Sequence, residues 1–66
     1  MYKIKVLNRL STDAIHTFDN EHFNEFISTL SGLVNAGRVV DVYQNGVLVA
    51  TSDGTSLHQI KKIKKN

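Results

Sequence analysis

Apolar and polar residues alternate from the start of the chain. Tyr2, Ile4 and Val6 interleave with Lys3, Lys5 and Leu7, the period of two expected of a strand with one buried and one wetter face. Residues Arg9 to Asp13 include Ser11, Thr12 and Asp13, whose side chains favour turns through local backbone hydrogen bonds, and Ala14 to Phe18 then reads as a short returning strand. Beyond this first hairpin the period changes. Phe23, Phe26, Ile27, Leu30, Leu33 and Val34 recur at offsets of 3, 4, 7, 10 and 11, one continuous stripe of an amphipathic helix and the main contribution to a core. Asp19 or Asn20 is placed to cap its first free amides, and Glu21 and Glu25 lie near the positive end of its dipole. Gly37 stands where a left-handed terminal residue is wanted, with Arg38 adding positive charge at the same end. Gly32 interrupts the helix and points to a close approach to the sheet.

Val39 to Gln44 and Val47 to Thr51 are β-rich runs separated by Asn45-Gly46, the pair best suited to a type I′ turn. A two-residue loop sets Gln44 opposite Val47, Tyr43 opposite Leu48, Val42 opposite Val49, Asp41 opposite Ala50 and Val40 opposite Thr51. Val40, Val42, Val47 and Val49 then share a face that meets the helix, and Asp41, Tyr43, Leu48 and Ala50 look outward. Ser52, Asp53 and Gly54 form a turn, after which Leu57, Ile60 and Ile63 recur every three residues, as in a short helix capped by Thr55 or Ser56.

The expected architecture is therefore α+β in the order ββαββ: a four-stranded sheet, one amphipathic helix on one face and a short C-terminal helix. Residues 1–60 form a single compact domain and residues 61–66 a basic tail. The sheet face away from the helix would carry Lys3, Lys5, Leu7, Tyr43 and Leu48. So much apolar content on an uncovered face calls for a cover, either the terminal helix or a partner.

Charge sharpens this picture. Residues 1–60 hold four basic side chains against six carboxylates, whereas Lys61, Lys62, Lys64 and Lys65 crowd the last six positions and bring the net charge to +2. With 66 residues and no cysteine, the chain has room for one small core and lacks disulfides, thiolate metal sites and thiol catalysis, which makes a homodimer the expected state. No apolar run approaches the ~20 residues that cross a bilayer, and Met1 leads straight into the alternating pattern instead of a leader, so a cytosolic protein is expected. Short, cysteine-free chains of this kind are common among phage and bacterial accessory proteins.

Catalytic chemistry finds little support. His16, His22 and His58 lack the close spacing of a zinc site, so no metal or cofactor is expected. His58, Asp53 and a nearby serine are the side-chain types of a hydrolytic triad, yet neither a nucleophile elbow nor an oxyanion-hole glycine cluster accompanies them. Gly46 and Gly54 read as turn residues because no phosphate-loop or dinucleotide pattern surrounds them. Asp41 and Asp53 read as solvated.

The terminal lysines have three readings: a solubilising, frayed helix end; a phosphate-binding cluster extended by Lys3 and Lys5; or a charge patch that docks on an acidic protein surface with Tyr43 and Leu48 as anchors. A small non-enzymatic protein that binds and regulates or inhibits a larger cytosolic protein is the leading expectation. Partner binding would then fall to Tyr43, Leu48, Leu7, Lys3 and Lys5. The alternative is nucleic-acid binding without sequence preference through Lys61, Lys62, Lys64 and Lys65. It ranks second because Asp13, Asp19, Glu21 and Glu25 interrupt any uniform basic surface.

Overall fold

A computed structural model describes residues 1–7 and 14–65. Among these described residues there are five strands and one α-helix: β1 Tyr2–Val6, β2 Ala14–Phe18, a 3-10 turn Asn20–His22, α1 Phe23–Asn35, β3 Val39–Gln44, β4 Val47–Asp53 and β5 Leu57–Gln59. The strands form one antiparallel sheet in the order β2-β1-β3-β4-β5. The α+β class and the ββα order are as expected from the sequence. The turn assigned to Arg9 to Asp13 lies outside the described residues.

Helix α1 presents the expected stripe to the sheet. Phe26 and Leu30 are buried, and Phe23, Ile27, Leu33 and Val34 pack around the core formed by Tyr2, Ile4, Val6, Val40, Val42, Val49 and Ala50. Tyr2 stacks on Phe26 with ring centroids 4.6 Å apart, and Phe18 and Phe23 approach the same Phe26 ring at 5.9 and 6.0 Å. Such an aromatic cluster concentrates a large apolar area in few residues, which suits a chain this short.

The helix ends on Gly37, at φ +75°. The Arg38 amide donates to the Leu33 carbonyl and the Gly37 amide to that of Val34, each at 3.0 Å, the paired closure that satisfies otherwise orphaned carbonyls. At the other end the residue before α1 is His22, and neither it nor Asp19 makes a side-chain cap bond; the chain enters by the 3-10 turn, where the His22 amide donates to the Asp19 carbonyl at 2.9 Å. Gly32 marks no close approach to the sheet either, since a Cβ placed there meets nothing within 4 Å.

The β3–β4 hairpin turns through Asn45 at φ +53° and Gly46 at φ +81°, as the Asn-Gly pair requires. Gln44 faces Val47 and Tyr43 faces Leu48 as expected, but the register then shifts: Val42 faces Ala50, Asp41 faces Thr51 and Val40 faces Ser52. Val49 is the extra residue of a β-bulge. Val40, Val42 and Val49 are buried as expected, whereas Val47, in its expected register beside the turn, is 47% exposed; the bulge turns Ala50 and Ser52 inward, which corrects the expected outward Ala50. A one-residue slip changes the face of every later side chain. Buried Ser52 is reconciled with the core because its hydroxyl donates to the Arg38 carbonyl at 3.0 Å.

The expected four-stranded sheet with a short C-terminal helix is corrected as well. Asp53 accepts from the Thr55 and Ser56 amides, each at 2.9 Å, engaging the two residues expected to cap that helix. The chain reverses instead, and Leu57–Gln59 pairs with β4 as a fifth strand. It then leaves the sheet edge: the Ile60 and Lys61 amides both donate to the Val49 carbonyl, at 2.9 and 3.0 Å. Residues 60–65 run along the helix side of the sheet, with Ile63 packed on the core and the Lys64 carbonyl accepting from the Tyr2 hydroxyl at 3.2 Å and the Gln44 side chain at 2.9 Å. Helix and C-terminal segment thus cover the same face, and among the described residues nothing packs over the opposite face of the sheet.

The glycines give opposite predictions. Gly32→Ala is expected to raise stability by about 1 kcal/mol, since an exposed helical glycine gains propensity without a clash. Gly54, at φ +92° with a Cβ position 3.2 Å from the Gly37 carbonyl, should lose at least about 1 kcal/mol on Gly54→Ala. Thermal unfolding of the two variants checks both signs.

Candidate functional site

The open face is built by alternation. β1 places Lys3, Lys5 and Leu7 outward, and the register carries that face across the sheet: Lys3 lies between Thr17 and Tyr43, Lys5 between Ile15 and Asp41, and Tyr43 beside Leu48. All five residues expected to bind a partner, Tyr43, Leu48, Leu7, Lys3 and Lys5, therefore lie on one face. Ile15 and Val39 join them. They are 57% and 40% exposed, against 37% for Leu7, while Tyr43 and Leu48 are half-buried by their neighbours. The apolar positions flank a central pair of lysines instead of forming one continuous patch. Asp41, directly across from Lys5, is the acidic group nearest the centre, whereas the cross-strand neighbours of Lys3 are uncharged. Ile15 could be found in the sequence only once the first hairpin's register was known.

The tail lysines lie on the other side. Lys61, Lys62 and Lys64 line a shallow concavity of about 530 Å³ with Gln44, Asn45 and Val47. Lys3 borders a different one, with Met1, Tyr43 and Gly46. The β3–β4 turn stands between the two, and Lys65 is exposed beyond them. Lys62 also edges an apolar groove of about 500 Å³ between α1 and the C-terminal segment, floored by Ile27, Leu30, Val34, Leu57 and Ile63.

The side chains resembling a triad do meet, in a geometry unsuited to catalysis. His58 Nε2 is 2.9 Å from Asp53 Oδ2 and 3.2 Å from Ser56 Oγ. A hydrolytic relay needs the acid on one ring nitrogen and the serine on the other; here one nitrogen faces both. His58 and Asp53 are 61% and 53% exposed, so neither is sheltered from water. The cluster is a turn lock. Asp53 Oδ1 accepts the Thr55 hydroxyl at 2.7 Å in addition to the two amides. Thr55's hydroxyl, the Ser56 amide, His58 and the Thr55 amide, in that order, hold the Asp53 carboxyl far below the usual carboxylate range. Asp53 is thus the organiser of the β4–β5 connection and not merely solvated. Its signal in the sequence is an aspartate followed two and three residues later by threonine and serine.

His16 lies on β2 and His22 in the 3-10 turn, both exposed. Asp19, Glu21 and His22 bring ligand-type atoms within 4.8 Å of one another. All three are exposed, and acidic side chains at the positive end of a helix are accounted for by its dipole. Among the described residues no helix is long and apolar enough to cross a membrane. Comparison with models of known protein families, with curated proteins and with solved structures found no match.

The turn lock predicts a pH dependence of definite sign. A carboxyl whose pKa is depressed in the fold contributes stability that is full above its ordinary value of 3.8 and is lost as pH falls below it. Asp53→Ala should therefore lower the melting temperature near neutral pH, and the gap from the unaltered protein should narrow toward about pH 2. Parallel thermal unfolding across that range measures the gap.

Proposed function

We propose that the protein is a non-enzymatic interaction module that docks the open face of its sheet on a larger cytosolic protein and thereby regulates or inhibits it. The observation that carries this reading is the one-sided cover: helix and C-terminal segment share a face, leaving Lys3, Lys5, Leu7, Tyr43 and Leu48 together on the other. The chemistry of that face suits an acidic surface with apolar ridges. Lys3 and Lys5 at its centre would meet carboxylates and speed encounter, while Tyr43 and Leu48 on one side and Leu7 on the other supply anchors that exclude water. The Asp53–His58 geometry supports the non-enzymatic part, since nothing there orients a nucleophile.

A second reading is nucleic-acid binding through Lys61, Lys62, Lys64 and Lys65. It is favoured by the backbone bonds at Ile60, Lys61 and Lys64, which present these lysines from an ordered segment. Against it, Lys3 and Lys5 lie on the other face and cannot extend the same patch.

The test is cross-linking in cells, with the partner identified by mass spectrometry, followed by affinity measurement on purified components. Tyr43→Glu with Leu48→Glu should keep the far-ultraviolet spectrum of the fold and weaken binding at least about 100-fold, and the unaltered affinity should fall with salt. Full affinity in the double variant would overturn the open-face reading. Loss of binding only on removal of residues 61–66, with steep salt dependence on short DNA or RNA, would favour the second.

A further inference from the structure

The two covers of the inner sheet face do not close over the space between them. Helix α1 packs against β1, β2 and β3, the C-terminal segment crosses from the β5 edge toward Gln44, and the groove of about 500 Å³ lies where they part. Its floor is Ile27, Leu30 and Val34 of the helix, with Leu57 and Ile63 on the other side. Of these five only Leu30 is buried; the other four pack on the core yet stay half-buried, so an aliphatic strip continuous with the core meets water. The rim is polar, with Ser31 and Asn35 on the helix and Gln59 and Lys62 across from them, all exposed. Lys62 is the groove's one charged side chain, and it also borders the concavity that holds Lys61 and Lys64. Among the described residues no carboxylate side chain lines either hollow.

We propose that this groove binds a medium-chain fatty acid, with the alkyl chain on the aliphatic floor and the carboxylate at Lys62. Three features of the groove select that ligand. Its volume falls in the range that holds one small molecule, and its α1 lining runs from Ile27 to Asn35, two turns and about 12 Å along the helix axis, which suits an extended chain. The floor is entirely aliphatic, so it offers burial to methylenes and no ring on which a planar ligand would stack. The charge is of one sign: a single ammonium at the rim matches a single carboxylate, and Lys61 and Lys64 beyond it add to a field that draws an anion and opposes a cation. The inference does not rest on the open-face reading, since the groove lies on the covered side of the sheet.

The test is titration of the isotope-labelled protein with decanoate below its micelle concentration, followed through the amide resonances. A saturable one-site response is expected at residues 27–35 and 57–63. Octanoate, two methylenes shorter, should bind about 5- to 15-fold more weakly, and decyltrimethylammonium should bind more weakly than decanoate. Lys62→Glu, at an exposed position, should reverse that preference between anion and cation while the floor residues still respond. Ser31→Trp fills the groove from an exposed helical position without removing a core side chain; it should keep the far-ultraviolet spectrum of the fold and abolish the response. No saturable response up to about 10 mM decanoate, equal affinity for the cationic amphiphile, or undiminished binding in Ser31→Trp would overturn the proposal. So would capture by anionic phospholipid vesicles without binding of free decanoate, which would make the groove a membrane contact, or groove shifts that follow protein concentration without ligand, which would assign it to a second copy.

Discussion

One helix cannot cover five strands. A helix with its side chains is about 10 Å across, whereas strands about 4.8 Å apart put the outer members of a five-stranded sheet about 19 Å from each other. Helix α1 packs against β1, β2 and β3, so the inner surface of β4 and β5 needs another cover. The C-terminal segment supplies it, and the contact that directs it there is the Val49 carbonyl. Because Val49 is the extra residue of a bulge, its carbonyl accepts both the Ile60 and Lys61 amides as the chain turns off the β5 edge. The same bulge turns Ala50 and Ser52 inward, where both are buried and Ser52 bonds the Arg38 carbonyl just past the end of the helix. A local irregularity in one strand thus settles the course of residues 60–65.

The aromatic cluster ties these parts together. Tyr2 is fully buried and stacks on Phe26, linking the first strand to the helix. Its hydroxyl, which would be costly to bury unpaired, reaches the Lys64 carbonyl. Gln44 grips the same residue from both directions, donating to its carbonyl and accepting from its amide. First strand, helix, central hairpin and final segment therefore meet around one ring, as a small core requires if few residues are to do all the bridging.

Some of this was legible from residue order and some was not. Asn45-Gly46 has one favoured conformation, and six apolar residues at helical spacing have one face, so the hairpin turn and α1 follow from local chemistry. The bulge does not. No glycine marks it, and Val47, Leu48, Val49 and Ala50 offer an unbroken apolar run that fits either register. The terminal helix fails for a similar reason. Leu57, Ile60 and Ile63 have a helical interval, but Asp53 binds the amides of Thr55 and Ser56 first, and in the resulting strand and crossing Leu57 and Ile63 face the core while Ile60 is left 61% exposed. The clustering of the five partner-binding candidates was readable because it depends on strand parity alone. Where the tail lysines sit relative to Lys3 and Lys5 was not, since it depends on the bulge.

One-sided cover among the described residues leaves the open face with a definite charge pattern. It holds Lys3 and Lys5 at its centre, so packing two such faces together would strip water from like charges with only Asp41 nearby to offset them. Self-pairing through this face is therefore disfavoured, and the proposed partner would have to bring carboxylates of its own.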